Sequence, residues 1–450
     1  MWTRQFCIRL ASVSIAAVML GLPIQYAAAQ SERGTARLMQ GPLLGPTTES
    51  SARIWIRGSG VFEYQIEYDT RDDFRTPTRT KPITATKDND YTMVFDLGGL
   101  EANTTYYYRV IAEGEVSKYR RKSIPDAFTT ADPSSTSFRF SFGSCARVQA
   151  AEDQPIWHVV EDLQPDLFFW VGDNIYGDSL DPDILAEEYR RQRDVASSRR
   201  FLASVPQLAT WDDHDSGLND HDRTNPVKHL ALDVFKQYWP NPSFGTNDTP
   251  GVFFKHTHGG VDFFFLDCRY HRDPNKMPDS DQKNMLGEDQ YAWLIEELEK
   301  SDAPFKFVIS GSGFNSAKGP TGDSWSAFLK ERDRLFYEIA DRNIDGVILL
   351  SGDTHCAELN RIESPHPDGY PLYELVSSPL AQEPTADRNP VGPQEARIRP
   401  FYNRAPNAAV VDVDLGAQPP TVTMNIFNEY GHSVWKPLTL TAEELVVTGR

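Results

Sequence analysis

Residues 168–178, FFWVGDNIYGD, decide how the rest of the chain is read. A continuous apolar run that stops at Gly-Asp-Asn describes a strand buried on both faces, whose carboxyl end releases an acidic side chain into a loop. Open α/β sheets carry their ligands at that edge, which is where Asp173 falls. Two other stretches repeat the plan: 138–145, FRFSFGSC, and 347–355, VILLSGDTH, each an apolar run followed by Gly and then side chains able to hold a metal. Three strands that release Cys145, Asp173, Tyr176, Asp353 and His355 toward one sheet edge point to a metal site.

Upstream, residues 36–131 carry only β signals: ARIWIRG, FEYQIEYDT, YTMVFDLGGL and TTYYYRVIAEG alternate apolar with polar between Gly-, Asp- and Asn-rich turns. That pattern predicts an all-β sandwich of the immunoglobulin or fibronectin type III kind, and LEANTTYYYRV (100–110) resembles the turn-and-strand signature of the latter. Its Tyr run reads as packing. The polar stretch ADPSST (131–136) is the expected boundary. From 136 to 435 strands alternate with helical stretches, expected near 155–162, 182–195, 227–238, 289–300 and 324–343, which predicts an α/β domain. Residues 436–450 read as a peripheral tail.

At 450 residues the chain can bury more than one core. A net charge of −19 excludes a nucleic-acid scaffold and a permanent binder of anionic membranes, since both need basic surface. Residues 1–29 place Arg4 and Arg9 beside an apolar stretch, Leu10–Leu22, and end in Ala27-Ala28-Ala29. A cleavable signal peptide is expected there in preference to a membrane anchor, because the apolar stretch is short for a bilayer span. Export to the periplasm or medium follows. Cys7 leaves with the signal, so Cys145, Cys268 and Cys356 remain, and an odd count is no disulfide scaffold.

A Gly-Asp pair after a strand is ordinarily a turn, and a lone Cys or Tyr ordinarily packs. Two such pairs, Gly172-Asp173 and Gly352-Asp353, are harder to dismiss, and WDDHD (211–215) crowds three carboxylates around His214 in a way that favours a nearby cation. FGSC, GDNIYGD, ATWDDHDSGLND and SGDTH, in this order behind a fibronectin-like stretch, resemble the PhoD-type alkaline phosphatases, a branch of the calcineurin-like metallophosphoesterases. VDFFFLDCRYHRD also resembles that family's strand with a following Asp-x-Arg, held by Asp267 and Arg269.

The resemblance implies a multidomain chain in which the β-sandwich precedes an α/β metallophosphoesterase domain of two β-sheets flanked by helices. It implies Fe(3+) with Ca(2+), another divalent pair such as Zn or Mn being the alternative. Cys145, Asp173, Tyr176 and His355 would hold the iron, with Asp173 bridging, while Asp353 and either Asn219 or Asp213, Asn219 preferred, would serve the calcium. His214 would face the phosphate or protonate the leaving group, and Arg269 would clamp a phosphate oxygen. Metal-activated water would hydrolyse a small phosphate monoester, diester or both, in a monomer without a membrane anchor. A phospholipase-like diesterase and a surface binding protein with a structural metal are the rival readings. Arg4 and Arg9 are not adjacent, a departure from the twin-arginine export common in the family.

Overall fold

The apolar runs fold as strands in which every residue is buried: Leu167–Val171, Val261–Phe265, Lys306–Ser310 and Val347–Ser351. Such strands need cover on both faces. The computed structural model, which describes residues 34–117, 125–315, 318–385 and 396–449, provides it with two six-stranded sheets. The first has the order Gln207–Thr210, Leu167–Val171, Ser137–Gly143, Asn407–Asp414, Thr421–Asn428, Leu438–Thr441; its first three strands run parallel and the last three join antiparallel. The second has the order Phe254–His258, Val261–Phe265, Lys306–Ser310, Val347–Ser351, Leu372–Val376, Glu358–Ile362, with four parallel strands between antiparallel edges.

An aromatic seam joins the two sheets. Phe140 meets Phe263 and Phe307 edge-to-face at centroid distances of 5.2 and 5.0 Å, and Phe169 meets Phe263 and Phe265 at 4.9 and 5.1 Å. Each pair adds about 0.5–1.5 kcal/mol beyond the area it buries. The helices Pro182–Arg193 and Lys228–Tyr238 pack with Trp157, Phe168 and Trp170 on the outer face of the first sheet. Glu288–Glu299 and Leu329–Asp341 bury Leu294, Leu298, Leu335 and Phe336 against the second. The expected helix near 324–343 starts late, because a 3-10 turn at Trp325–Ala327 and a non-helical Phe328 (φ −133°, ψ 42°) precede it.

The N-terminal part is β-rich. Leu38–Thr47, Ser51–Gly58 and Thr92–Gly98 form one sheet, and Glu63–Asp69 with Thr105–Ala112 centre another. Ile54, Ile56, Tyr64, Phe95 and Tyr108 fill the space between them. The Tyr run packs: Tyr106 stacks on Phe128 at 5.8 Å.

The C-terminal segment is a correction. Leu438–Thr441 supplies the sixth strand of the first sheet, Leu440, Leu445 and Val447 are buried, and the Gly346 N–H donates to Leu445 O at 2.8 Å. Apolar residues at 440, 445 and 447 had nowhere else to go, so the tail is part of the core. The expected signal peptide lies outside the described residues. Cys145, Cys268 and Cys356 are all buried free thiols.

Candidate metal centre

Close approach of three loops builds the site, and glycine permits it. A Cβ on Gly172 would lie 2.7 Å from Asp212 Cβ, and one on Gly352 would lie 2.6 Å from Val171 O, so neither position admits another residue without displacement. The Cys145 N–H donates to Gly172 O at 3.3 Å and the Asp353 N–H to Ser144 Oγ at 3.1 Å, lacing the loops of both sheets together. Cys145, Asp173, Asp353 and His355 all have left-handed backbones, with φ of 60°, 51°, 67° and 52°.

These loops bring Cys145, Asp173 and His355 within one group whose donor atoms all lie within 4.8 Å of one another. The Cys145 thiol donates to Asp173 Oδ2 at 3.2 Å, and the Tyr176 hydroxyl lies 3.4 Å from the same oxygen and 3.0 Å from His355 Nε2. Asp173 also belongs to a second such group with Asp213 and His214. Its other oxygen, Oδ1, is buried without a hydrogen-bond partner. Burial, with Cys145 and Asp213 nearby, pushes the Asp173 carboxyl well above its usual range. Burial likewise lifts Cys145 to about 11 and raises Tyr176. Acidic groups so crowded and dry are stable as anions only beside a cation. The orphaned oxygen and the donor set of thiol, phenol, imidazole and carboxylate fit a bound metal.

His214 stacks on the Tyr176 ring at 4.1 Å, and its Nδ1 bonds Asp178 Oδ1 at 2.6 Å. Burial opposes its charge, but Asp173, Asp178 and Asp213 overcome that and raise its pKa to about 10. Asp213 is buried, its Oδ2 accepting the Asp220 N–H at 2.7 Å. Asn219 is exposed, and its amide donates to Asp220 Oδ1 at 2.8 Å.

Arg269, expected as a phosphate clamp, faces inward instead. Its side chain is 1% exposed, its Nε is bonded to Asp212, and its other nitrogens reach Asp323 at 2.6 and 3.1 Å. Buried carboxylates have taken its charge. Asp353, expected on the calcium side, is paired with the Lys318 ammonium, and its donor oxygen groups with those of Asp212 and Asp323. Burial lifts the Asp353 carboxyl to about 6 against the pull of Lys318.

Sequence reading missed Asp178, Asp220, Lys318 and Asp323. Gly177-Asp178 and Gly322-Asp323 repeat the Gly-Asp pairing but follow no apolar run, and Lys318 sits in a Gly- and Pro-rich loop that gives no signal.

A family profile described as PhoD-like phosphatase matches residues 140–418, and that of its N-terminal domain matches 25–125. The chain belongs to the PhoD-like phosphatase family. Alkaline phosphatase D of Bacillus subtilis (strain 168) is 25% identical over 311 residues, 58% of this chain and 52% of that protein, so the chain matches about half the length of this curated relative. Among solved structures, that of PhoD superposes with a TM-score of 0.70 at 18% identity, covering 88% of this chain and 91% of that one. A purple acid phosphatase from yellow lupin (Lupinus luteus) seeds gives 0.62 at 12%, covering 90% and 74%. These two likenesses show the fold of this chain.

Proposed function

We propose that this PhoD-like chain is an exported metal-dependent phosphoesterase that hydrolyses small phosphate monoesters, diesters or both. One observation carries the reading: Asp173, buried and with an orphaned oxygen, belongs both to the Cys145–His355 group and to the Asp213–His214 group. A carboxylate so placed suits a bridge between two cations. Thiolate and phenolate donors suit ferric iron, so Cys145, Tyr176, His355 and Asp173 are assigned to Fe(3+). Oxygen donors suit Ca(2+), so Asp213 and Asp353 are assigned to calcium, with buried Asp213 now ahead of exposed Asn219. When bound, the metals would polarise phosphoryl oxygens and lower the pKa of water.

The chain's own residues would do the rest. Asp178 holds the His214 imidazole by Nδ1, which leaves Nε2 to face a phosphoryl oxygen or the leaving group. The Tyr176 ring fixes the plane of that imidazole. Arg269 holds Asp212 and Asp323 and is assigned a positioning role. Residues 36–131 are assigned to an immunoglobulin or fibronectin III-like sandwich, 136–435 to the catalytic part and 1–29 to a cleaved signal, in a monomer. No helix among the described residues is long and apolar enough to cross a membrane.

The test is elemental analysis of the purified protein beside hydrolysis of an aryl monophosphate, a bis-aryl phosphate and a phospholipid. Iron with calcium, a visible charge-transfer band that Tyr176→Phe shifts or bleaches, and turnover of an aryl ester are expected. A dominant rate on the phospholipid would favour the lipid diesterase reading. A metal-loaded protein that hydrolyses none of the three would overturn the proposal, and a colourless, active zinc protein would overturn only the choice of metals.

A further inference from the structure

We infer that Asp215 is a positioning residue that fixes both metal-bearing loops of the first sheet, and that the N-terminal β-rich part steadies the site through it. Asp215 is 1% exposed and belongs to none of the four groups of candidate metal donors. Its Oδ2 accepts the backbone N–H of Asn174 and of Asp212, both at 3.1 Å. Asn174 follows Asp173, and Asp212 precedes Asp213. One carboxylate oxygen therefore ties together the two loops whose acids must share a cation. The Asn174 amide strengthens the tie by donating to Thr210 O at 2.9 Å.

The other oxygen leads out of the site. Asp215 Oδ1 accepts the Tyr189 hydroxyl at 2.9 Å, and the Tyr189 ring stacks on Tyr238 at 4.9 Å with planes 15° apart. The Tyr238 hydroxyl donates to Asp90, a residue of the N-terminal part in a left-handed turn at φ 47°. Asp90 also holds Arg190, the neighbour of Tyr189, at 2.6 Å and is itself anchored by Arg57 at 2.8 Å. It thus grips both helices that carry the tyrosines. Packing and hydrogen bonds run without a break from a turn of the N-terminal part to the backbone of both loops, the kind of contiguous link through which coupling can travel. The N-terminal part is then a brace for the site.

The catalytic half of this inference rests on the proposed phosphoesterase reading; the structural half does not. The test uses the full, metal-loaded chain with Tyr189→Phe, which removes one hydroxyl and keeps the ring, Asp90→Ala, and the two together. Amide hydrogen exchange is followed in peptides covering 168–178 and 207–217, and kcat and KM are measured on an aryl phosphodiester. Tyr189→Phe is expected to speed exchange in both segments and to lower kcat roughly 3- to 10-fold, the scale of one lost hydrogen bond, with KM within about twofold. Asp90→Ala should act in the same direction, and because it works through Tyr189 its effect should shrink in the Tyr189→Phe background. Unchanged exchange, a response in only one segment, or two losses that simply multiply would overturn the inference. A wild-type chain that hydrolyses no phosphate ester sinks the proposed function, while the exchange measurements still decide whether the brace exists.

Discussion

Replacing Arg269 by Gln should unfold the protein more readily without loosening its hold on substrate. The Arg269 side chain is 1% exposed, and its partners Asp212 and Asp323 are 0% and 9% exposed. Removing one member of a buried ion pair costs about 3–5 kcal/mol, because the partner charge is left dry and unpaired. Arg272 still holds Asp323 at 2.8 Å, and Asp212, already lifted to about 6 by burial against the opposing pull of Arg269, can take a proton. Both effects favour the lower end, about 3 kcal/mol. With a urea slope of about 3 kcal/mol per molar, the unfolding midpoint should fall by roughly 1 M at constant slope. Urea titration followed by tryptophan fluorescence reads this, beside KM on an aryl phosphate. An unchanged midpoint with a KM raised tenfold or more would refute the reasoning and restore Arg269 as a phosphate clamp.

Asp173→Asn should abolish hydrolysis and deplete both metals by elemental analysis; loss of a single metal would make Asp173 a terminal ligand. His214→Ala should cut turnover by roughly 10²–10⁴ while metal content stays near normal, and metal lost in step with activity would make His214 a ligand. His256, buried in the Phe254–His258 edge strand, has its pKa lowered to about 3 by burial and by His258. The unfolded chain takes up that proton below about pH 6.5, so stability falls as pH drops from there toward 3, by about 2 kcal/mol at pH 5. His256→Phe should therefore lose about 2 kcal/mol less than wild type between pH 7 and 5, and equal losses in urea titrations would rule out this histidine as the cause.

The strands that carry Asp173 and Asp353 were legible because parallel strands buried on both faces write themselves as apolar runs, the strand before Cys145 was legible from its alternating Phe residues, and the Gly that ends each marks where loops must touch. Nothing comparable marks Asp178, Lys318 or Asp323, which enter the site from irregular loops. The partners of Arg269 were hidden for a related reason. Asp-x-Arg after a strand shows that a cation leaves the sheet, but whether it meets substrate or buried carboxylates depends on Asp212 and Asp323, which lie 57 and 54 residues away in sequence. The C-terminal strand was overlooked because Leu438–Thr441 alternates over four residues only, and only pairing with Thr421–Asn428 makes it a strand.

Four residues of the candidate centre, Cys145, Asp173, Asp353 and His355, hold backbones that glycine would adopt without resistance. Each costs about 1 kcal/mol or more where it stands. A lineage released from the need for metal would be free to drift to glycine at these positions, least readily at Asp353, whose loss would leave the Lys318 ammonium without its partner. The four positions therefore keep a historical record: among related chains, glycine at one of them would mark a lineage that has given up the chemistry and kept the scaffold.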